Sequence, residues 1–132
     1  MKGTRTGVAD EKRVALRIKV WLEVDGQYVF GSGLSRILKA VAATGSIKAG
    51  AEGLGMSYRY VWGRIKKAEN ALGRPLVEAR VGGKGTRRST LTGFATRLVT
   101  EFDAVRQRSL GLVEQEFASR LGKPPRTEGG AN

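Results

Sequence analysis

The side chains best suited to chemistry in this sequence are cations, and they are concentrated in one segment. Nine Lys and Arg residues lie between Ser57 and Arg88, against only two acids, Glu69 and Glu78. This excess of seven positive charges is more than half of the net charge of +12. Clustered cations bind phosphate polymers because counterions are released on contact. The segment therefore predicts contact with a polyanion such as double-stranded DNA.

Composition argues against most enzymatic chemistry. The 132 residues contain no Cys and no His. Zinc fingers, thiol nucleophiles, disulfide frameworks and Ser-His-Asp arrangements are therefore excluded. The segment around Lys84 is not a P-loop, because Gly85 rather than Ser or Thr follows the lysine and Glu78 occupies the first glycine position of that pattern. We expect a protein that is not an enzyme and that needs no metal or other cofactor.

Two short helices joined by a tight turn are predicted at the start of the basic segment. Ser46 is a candidate N-cap for a helix from Ile47 to about Leu54, and Gly55-Met56 forms the turn. Ser57 caps a third helix, Ser57–Leu72, which ends at Gly73. This order is a helix-turn-helix, whose second helix fits the major groove of DNA.

The third helix has one apolar and one basic face. Val61, Ile65, Ala68 and Leu72 recur at helical spacing and should face inward. The residues opposite them on the helical wheel are Arg59, Gly63, Lys66, Lys67 and Asn70. Arg59 is the first candidate for a base contact, because Arg recognises guanine O6 and N7 through two hydrogen bonds. Gly63 either lets the helix approach the bases closely or relieves crowding beside Trp62.

Several neighbours of this helix carry two interpretations each. Ser46 and Lys48 begin the preceding helix, whose N-terminus either holds a phosphate or is an ordinary capped end. Tyr58 contacts DNA or lies at the core edge, and we expect Trp62 to pack against the protein. The complete set of predicted DNA contacts is Ser46, Lys48, Ser57, Tyr58, Arg59, Gly63, Lys66, Lys84, Arg87 and Arg88.

A small hairpin with a basic tip should follow the third helix. Leu76–Val81 is predicted as a strand and Thr90-Leu91 as its partner. The intervening loop, Gly82–Ser89, is rich in glycine and carries Lys84, Arg87 and Arg88. This loop has the character of a wing that contacts the DNA backbone or the minor groove.

The N-terminal part is predicted as a tail followed by another hairpin and a helix. Residues 1–13 are polar and should be disordered. Apolar residues alternate from Leu16 to Val24, and Asp25-Gly26 is a strong hairpin turn. Ser32 is a candidate N-cap for a helix whose apolar face comprises Leu34, Ile37, Leu38, Val41 and Ala42. Trp21 lies on the polar face of its strand, where it is exposed or buried by a partner.

A long helix, residues 92–121, should close the domain. Thr92 is its candidate cap and Gly111 a candidate break. Unbroken, it would reach roughly 45 Å. Its apolar stripe comprises Phe94, Leu98, Phe102, Val105 and Leu112. Residues 122–132 contain Pro124-Pro125 and should be a disordered tail.

These motifs resemble the N-terminal DNA-binding domain of the molybdate-responsive ModE family, and more broadly LysR-type regulators. The resemblance covers about Val14 to Arg108. It is carried by the following residues: Gly45-Ser46-Ile47, Leu54-Gly55-Met56-Ser57-Tyr58, Trp62, Pro75-Leu76-Val77, Gly82-Gly83-Lys84-Gly85 and Leu91-Thr92. In both families the domain forms a homodimer through the long helix, which assigns dimerisation to Phe94, Leu98, Phe102, Val105 and Leu112.

The expected fold is mainly α with small β-hairpins: a winged helix-turn-helix domain, residues 14–121, with an N-terminal hairpin and a long C-terminal dimerisation helix. The expected function is cytoplasmic, sequence-specific transcription regulation on a near-palindromic operator. Family regulators bind molybdate in C-terminal domains of a size that does not follow Leu121, so we expect no molybdate-binding domain in this chain. The alternatives are a non-specific architectural DNA protein and an interaction module that uses the N-terminal hairpin. An unidentified effector or partner protein remains open.

Overall fold

A computed structural model describes residues 12–82 and 87–122. Its elements follow the predicted order. They are β1 (Trp21–Val24), β2 (Gln27–Gly31), α1 (Ser32–Thr44), α2 (Ile47–Leu54), α3 (Tyr58–Leu72), β3 (Val77–Val81), β4 (Arg87–Leu91) and α4 (Gly93–Leu121). Strands β1 and β2 form one antiparallel hairpin and β3 and β4 another. The architecture is the mainly α, two-hairpin winged helix-turn-helix predicted from the sequence. The predictions for residues 1–11 and 123–132 fall outside the described residues.

The chain divides into two compact units, which are described separately. One runs from Val20 to Arg106 and holds both hairpins, α1 to α3 and the first half of α4. The other combines the N-terminal segment with the chain from Gln107 onward. In this second unit Leu16, Val113, Phe117 and Leu121 lie around an apolar cleft of about 370 Å³.

The first hairpin is shorter than the alternating pattern predicted. Strand β1 begins at Trp21 rather than near Leu16, although Leu16 and Ile18 are still less exposed than their neighbours. The turn is formed by Asp25 (φ 51°) and Gly26 (φ 78°), as a two-residue hairpin loop requires. A register shift between Leu22 and Glu23 leaves Leu22 exposed, so inward alternation fails there.

The apolar core of the larger unit is built from β2 and the four helices, together with Leu76 just before β3. Phe30 is fully buried and meets Phe102 edge to face, with ring centroids 5.1 Å apart. The predicted inward residues of α1 and α3 are buried, apart from Ala42, which is exposed, and Leu72, which is half-buried. The buried apolar set is Val29, Phe30, Leu34, Ile37, Leu38, Val41, Ala51, Val61, Ile65, Ala68, Leu76, Ala95, Val99 and Phe102.

Helix α1 begins without the predicted Ser32 cap. Gly31 is the N-cap residue, and no side chain accepts a hydrogen bond there. Ser32 is instead the first helical residue, because β2 continues to Gly31 and leaves no loop position for it. At the other end Gly45 adopts φ 78° and donates its N–H to the carbonyl of Val41, which is typical of a glycine that ends a helix.

Helices α1 and α2 cross closely at Gly50. A Cβ built there would lie 3.2 Å from the backbone of Ala40 and of Val41. These neighbours are main-chain atoms, which cannot move aside as the end of a flexible side chain can. Gly50 therefore sets the distance at which α2 packs on α1 and fixes the start of the helix-turn-helix.

Helix α4 is one continuous helix, so Gly111 does not break it. The Thr92 hydroxyl accepts a hydrogen bond from the N–H of Ala95 at 3.1 Å and donates to the carbonyl of Pro75 at 2.9 Å. The predicted cap is therefore present and also ties α4 to the start of the second hairpin. Ser35 donates to Asp103 at 3.0 Å, and Lys39 pairs with the same carboxylate. No helix in residues 12–82 or 87–122 is long and apolar enough to cross a membrane.

Candidate DNA interface

The two helices of the helix-turn-helix both begin with serine caps. Ser46 Oγ accepts the N–H of Ala49 at 2.8 Å, and Ser57 Oγ accepts the N–H of Tyr60 at 3.1 Å. Gly55 joins the helices with φ 70°, a left-handed conformation that glycine adopts without strain. Both predicted caps are confirmed. Lys48 is exposed in the first turn of α2, where its cation adds to the positive end of the helix dipole.

The outward face of α3 is exposed as the helical wheel predicted. Arg59, Gly63, Lys67 and Asn70 are all exposed, and none of them is an acid. Among the residues that the structure describes, no hydrogen bond or ion pair engages Arg59. Its guanidinium donors are therefore available to an external acceptor. A helix with this face fits the width of the major groove.

Gly63 lies at the middle of that face over open space. A Cβ built there would meet no atom within 4 Å. That Gly63 relieves crowding beside Trp62, its neighbour in the chain, stays an alternative prediction. A helix interior usually disfavours Gly by about 1 kcal/mol relative to Ala. The open space on this side of α3 favours the other interpretation, in which the bare backbone admits a ligand close to the helix axis.

Three aromatic side chains surround this face, and all of them are exposed. The exposed fractions are 51% for Tyr58, 48% for Tyr60 and 44% for Trp62. The expectation that Trp62 packs against the protein is met only in part, because its ring contacts Lys66 but stays 44% exposed. Tyr58 is also about half exposed rather than packed at the edge of the core, although its position on the helical wheel lies nearer the apolar stripe than the outward face. Tyr60 accepts a hydrogen bond from Arg64 at 2.8 Å, and that guanidinium lies 5.7 Å from the centre of the ring.

Lys66 is held by two partners of its own chain. Its ammonium lies 5.6 Å from the centre of the Trp62 ring and 3.1 Å from a carboxylate oxygen of Glu69. The other oxygen of Glu69 accepts the N–H of Leu76 at 2.7 Å and of Val77 at 3.2 Å. Burial raises the pKa of Glu69, but these backbone N–H groups and Lys66 together lower it more. The carboxylate therefore links α3 to the base of the second hairpin, a contact that a helical wheel cannot reveal.

The second hairpin carries its basic residues on a strand as well as at its tip. Strand β4 begins at Arg87. The prediction that Arg87, Arg88 and Ser89 belong to the loop is therefore wrong. They pair with Val81, Arg80 and Ala79 of β3, which extends the hairpin beyond the expected two-residue strand. Lys84 lies outside the described residues.

The hairpin returns to the start of α2. The N–H of Ser89 donates to the carbonyl of Gly45 at 2.8 Å. A Cβ built at Gly45 would lie 2.8 Å from Cζ of Arg88, so the guanidinium covers this glycine. Arg88 therefore lies beside Gly45, the residue just before the Ser46 cap of α2. Of the predicted cations of the hairpin, Arg88 is thus brought to the start of α2.

Residues 34–95 match the family described as the bacterial regulatory helix-turn-helix proteins of the lysR family. This segment is a lysR-type helix-turn-helix domain. The match runs from the first buried residue of α1 to the first turn of α4, so it includes α2, α3 and the second hairpin.

The relatives of this lysR-type domain include ModE proteins, as the resemblance implied. The chain is 32% identical over 105 residues to the molybdenum-pterin-binding protein MopB of Rhodobacter capsulatus, covering 80% of this chain and 38% of MopB. It is 37% identical over 71 residues to the dual regulator ModE of Escherichia coli K12, covering 54% of this chain and 27% of ModE. The chain thus spans well under half the length of these relatives.

Solved structures with a similar arrangement include the CbnR_DBD–DNA complex. That match has a TM-score of 0.49 and 21% identity, and covers 66% of this chain and 94% of the other. A second is VV2_1132, a LysR family transcriptional regulator, with a TM-score of 0.48, 18% identity and coverage of 66% and 28%.

Beyond the lysR-type domain, α4 differs along its length in what it exposes. Phe102, predicted to lie in a dimer contact, is only 3% exposed because its ring fills the core beside Phe30. It has no surface to offer a second copy. Phe94 and Leu98 are half-buried against the same core, whereas Val105 and Leu112 are each 54% exposed.

Among the described residues no cluster of acidic, His or Cys ligands could hold a metal ion.

Proposed function

We propose that this chain is the DNA-binding part of a ModE-type transcription regulator that recognises a specific double-stranded sequence. The observation that carries the proposal is the exposed outward face of α3, with an uncommitted Arg59, a bare Gly63 and no acid. Cations supply affinity for any DNA through the phosphates, whereas side chains that reach base edges supply sequence preference. Arg59 lies in the first turns of α3, where such helices meet base edges.

The backbone contacts in this proposal come from α2 and the second hairpin. Ser46, Lys48 and Ser57 lie at the N-termini of α2 and α3. Arg88 lies against Gly45, just before α2, and we assign Arg87, its neighbour on β4, to the phosphates as well. Phosphate contacts of this kind fix the register of the protein on the duplex. The exposed Tyr58 hydroxyl is a further phosphate donor. Such a regulator acts on the chromosome and hence in the cytoplasm.

We further propose that the regulator is a homodimer that binds a near-palindromic operator. Val105 and Leu112 support this, because they are two turns apart on α4, share one face and are both exposed. Exposed apolar residues in a row on one helix face favour pairing with another copy. The two α3 helices would then bind half-sites about 34–36 Å apart.

In vitro selection of bound DNA from a random duplex pool tests the proposal. The selected sequence should contain two inverted half-sites, each with a guanine whose replacement weakens binding. Arg59→Ala should lose about 10- to 100-fold in affinity for each half-site of this operator, because a bidentate Arg–guanine pair contributes about 1–3 kcal/mol of discrimination. Arg36→Ala removes an exposed cation from α1 and is the matched control.

If Arg59→Ala keeps full affinity and the same base preference at that guanine, Arg59 is not part of the interface.

The net charge of +12 favours a second candidate function, non-specific architectural binding. A pool that yields no common sequence after repeated selection would support that second candidate.

A further inference from the structure

Trp62 is an exposed aromatic residue on the same edge of α3 as Arg59. The two residues are three positions apart, which places them about 60° apart around the helix and about 4.5 Å apart along its axis. Successive base pairs are about 3.4 Å apart along a strand. A groove that brings Arg59 to a guanine would therefore bring the Trp62 ring to a base pair one or two steps away.

We propose that Trp62 determines sequence preference by contacting the 5-methyl group of a thymine, and that Lys66 and Glu69 position its ring. This inference rests on the proposed DNA-binding function. The thymine methyl group is the apolar feature of the major groove, and apolar side chains are its usual partners. The Trp62 ring is the largest apolar surface on that edge of the helix, and it is 44% exposed.

A chain of contacts restricts the orientation of this ring. The ring faces the Lys66 ammonium at 5.6 Å, and that ammonium is held at 3.1 Å by Glu69. Glu69 is fixed in turn by two N–H groups at the start of the second hairpin. A side chain that is already ordered loses less conformational entropy on binding. Lys66, predicted to contact DNA, is therefore assigned here a positioning role.

The opposite edge of α3 supplies an internal comparison. Tyr60 and Arg64 form a second cation–aromatic pair there, with the guanidinium 5.7 Å from the ring centre and a hydrogen bond of 2.8 Å. In the described part of the chain no carboxylate pairs with Arg64, so this pair is not linked to the hairpin. Its ring also lies on the flank away from Arg59. We expect it to add affinity without discriminating the methyl group.

The test replaces each thymine of the selected operator by uracil, which lacks only the 5-methyl group. One replacement, one or two base pairs from the guanine that depends on Arg59, should weaken wild-type binding about three- to fivefold, the value of one buried methyl group. Trp62→Ala should bind both duplexes equally, at or below the wild-type affinity for uracil DNA. Tyr60→Ala, the matched control, should keep the wild-type ratio of the two affinities.

The positioning role has a separate readout. Lys66→Met keeps the aliphatic stem but removes the charge. It should reduce the thymine-to-uracil affinity ratio while leaving the dependence of binding on salt unchanged. If Lys66 instead contacts a phosphate, the salt slope should fall by about one and the ratio should stay the same. That result would overturn the positioning role.

The outcomes separate this inference from the function on which it rests. If the protein has no preferred sequence, the proposed function fails. If it has one, but Trp62→Ala still discriminates thymine from uracil, or no thymine lies near that guanine, the inference alone is overturned. A second measurement uses the only two tryptophans of the chain: in Trp21→Phe, the emission of Trp62 should change on adding operator. Unchanged emission would contradict contact with the base.

Discussion

Helices α3 and α4 are both partly buried in the larger unit, but they expose opposite kinds of surface. Helix α3 buries Val61, Ile65 and Ala68 and exposes cations and aromatic rings around Gly63. Helix α4 buries Ala95, Val99 and Phe102 within its first three turns and then exposes Val105 and Leu112. The first surface suits a charged polymer and the second suits another apolar surface.

Periodicity alone therefore does not reveal whether an amphipathic helix face packs within the chain or binds an external partner. The apolar stripe of α4 is continuous in the sequence from Phe94 to Leu112, yet its N-terminal part is used within the chain. The outward surfaces of the two helices should also respond differently to salt. Added salt weakens contacts with DNA phosphates but has little effect on apolar pairing.

The largest expected effect concerns the buried part of α4. Phe102→Ala should destabilise the folded chain by about 3–5 kcal/mol, because it removes a buried ring and leaves a cavity against Phe30. Urea unfolding followed by circular dichroism, at one fixed protein concentration, measures this loss. Val105→Ala, on the exposed side of the same helix, should cost the folded chain less than about 1 kcal/mol. Equal losses of unfolding free energy in both variants would contradict the proposal that α4 has a buried and an exposed part.

The exposed part of α4 should control association instead. Leu112→Asp places a charge where apolar pairing is proposed, so the dimer dissociation constant should rise at least about tenfold. Sedimentation equilibrium over a dilution series measures it, with Arg108→Ala as a control on the same helix. Loss of the dimer should also weaken operator binding, since two separate protomers then bind the two half-sites independently. A Leu112→Asp protein that stays dimeric on dilution would place the dimer contact elsewhere.

Much of this contrast could be predicted from the sequence, and the part that could not depends on contacts between distant residues. The two serine caps, the Gly55 turn and the outward set of α3 follow from local spacing and were predicted. The predicted start of β1 was wrong, because the alternation of apolar residues begins several residues before the strand starts to pair with β2. The buried position of Phe102 depends on Phe30, 72 positions earlier in the sequence. No spacing within α4 reveals it.

The same limit applies at the candidate DNA interface. Lys66 belongs to the outward face by the helical wheel, but its pairing with Glu69 depends on where Leu76 and Val77 bring the second hairpin. The exposure of Trp62 could not be decided from the helical wheel, because its position lies midway between exposed Arg59 and buried Ile65. The Gly45–Arg88 contact required knowing that β4 starts at Arg87.

The link between α3 and the second hairpin should depend on pH. The pKa of Glu69 lies below its ordinary value of 4.5 in the folded protein, so the ionised carboxylate stabilises the fold. This stabilisation is complete above the unfolded-state pKa and is lost as pH falls through the lowered folded-state pKa. Glu69→Gln should therefore cost about 1 kcal/mol at neutral pH. The difference from wild type should shrink in acid, measured as urea unfolding at several pH values. A difference that is the same at every pH would contradict the assignment.

The smallest expected effect has opposite signs for stability and binding. Gly63→Ala should stabilise the chain by up to about 1 kcal/mol, because Ala favours the helix and the added Cβ meets nothing. It should nevertheless weaken operator binding, since the methyl group enters the space proposed for DNA. Gly53→Ala on α2 is the matched control, because a Cβ there also meets nothing within 4 Å. Thermal unfolding and fluorescence anisotropy measure the two effects. Unweakened binding by Gly63→Ala would argue against close approach at this position.

The most direct test of the central claim, that the outward face of α3 reads sequence, is the ratio of affinities for selected and random DNA. Fluorescence anisotropy at about 0.15 M salt should give a ratio of about 10³ or more for the wild-type protein. The ratio should fall for Arg59→Ala, mainly through weaker binding to the selected operator. A wild-type ratio close to one would contradict the claim and leave only charge-driven binding to DNA.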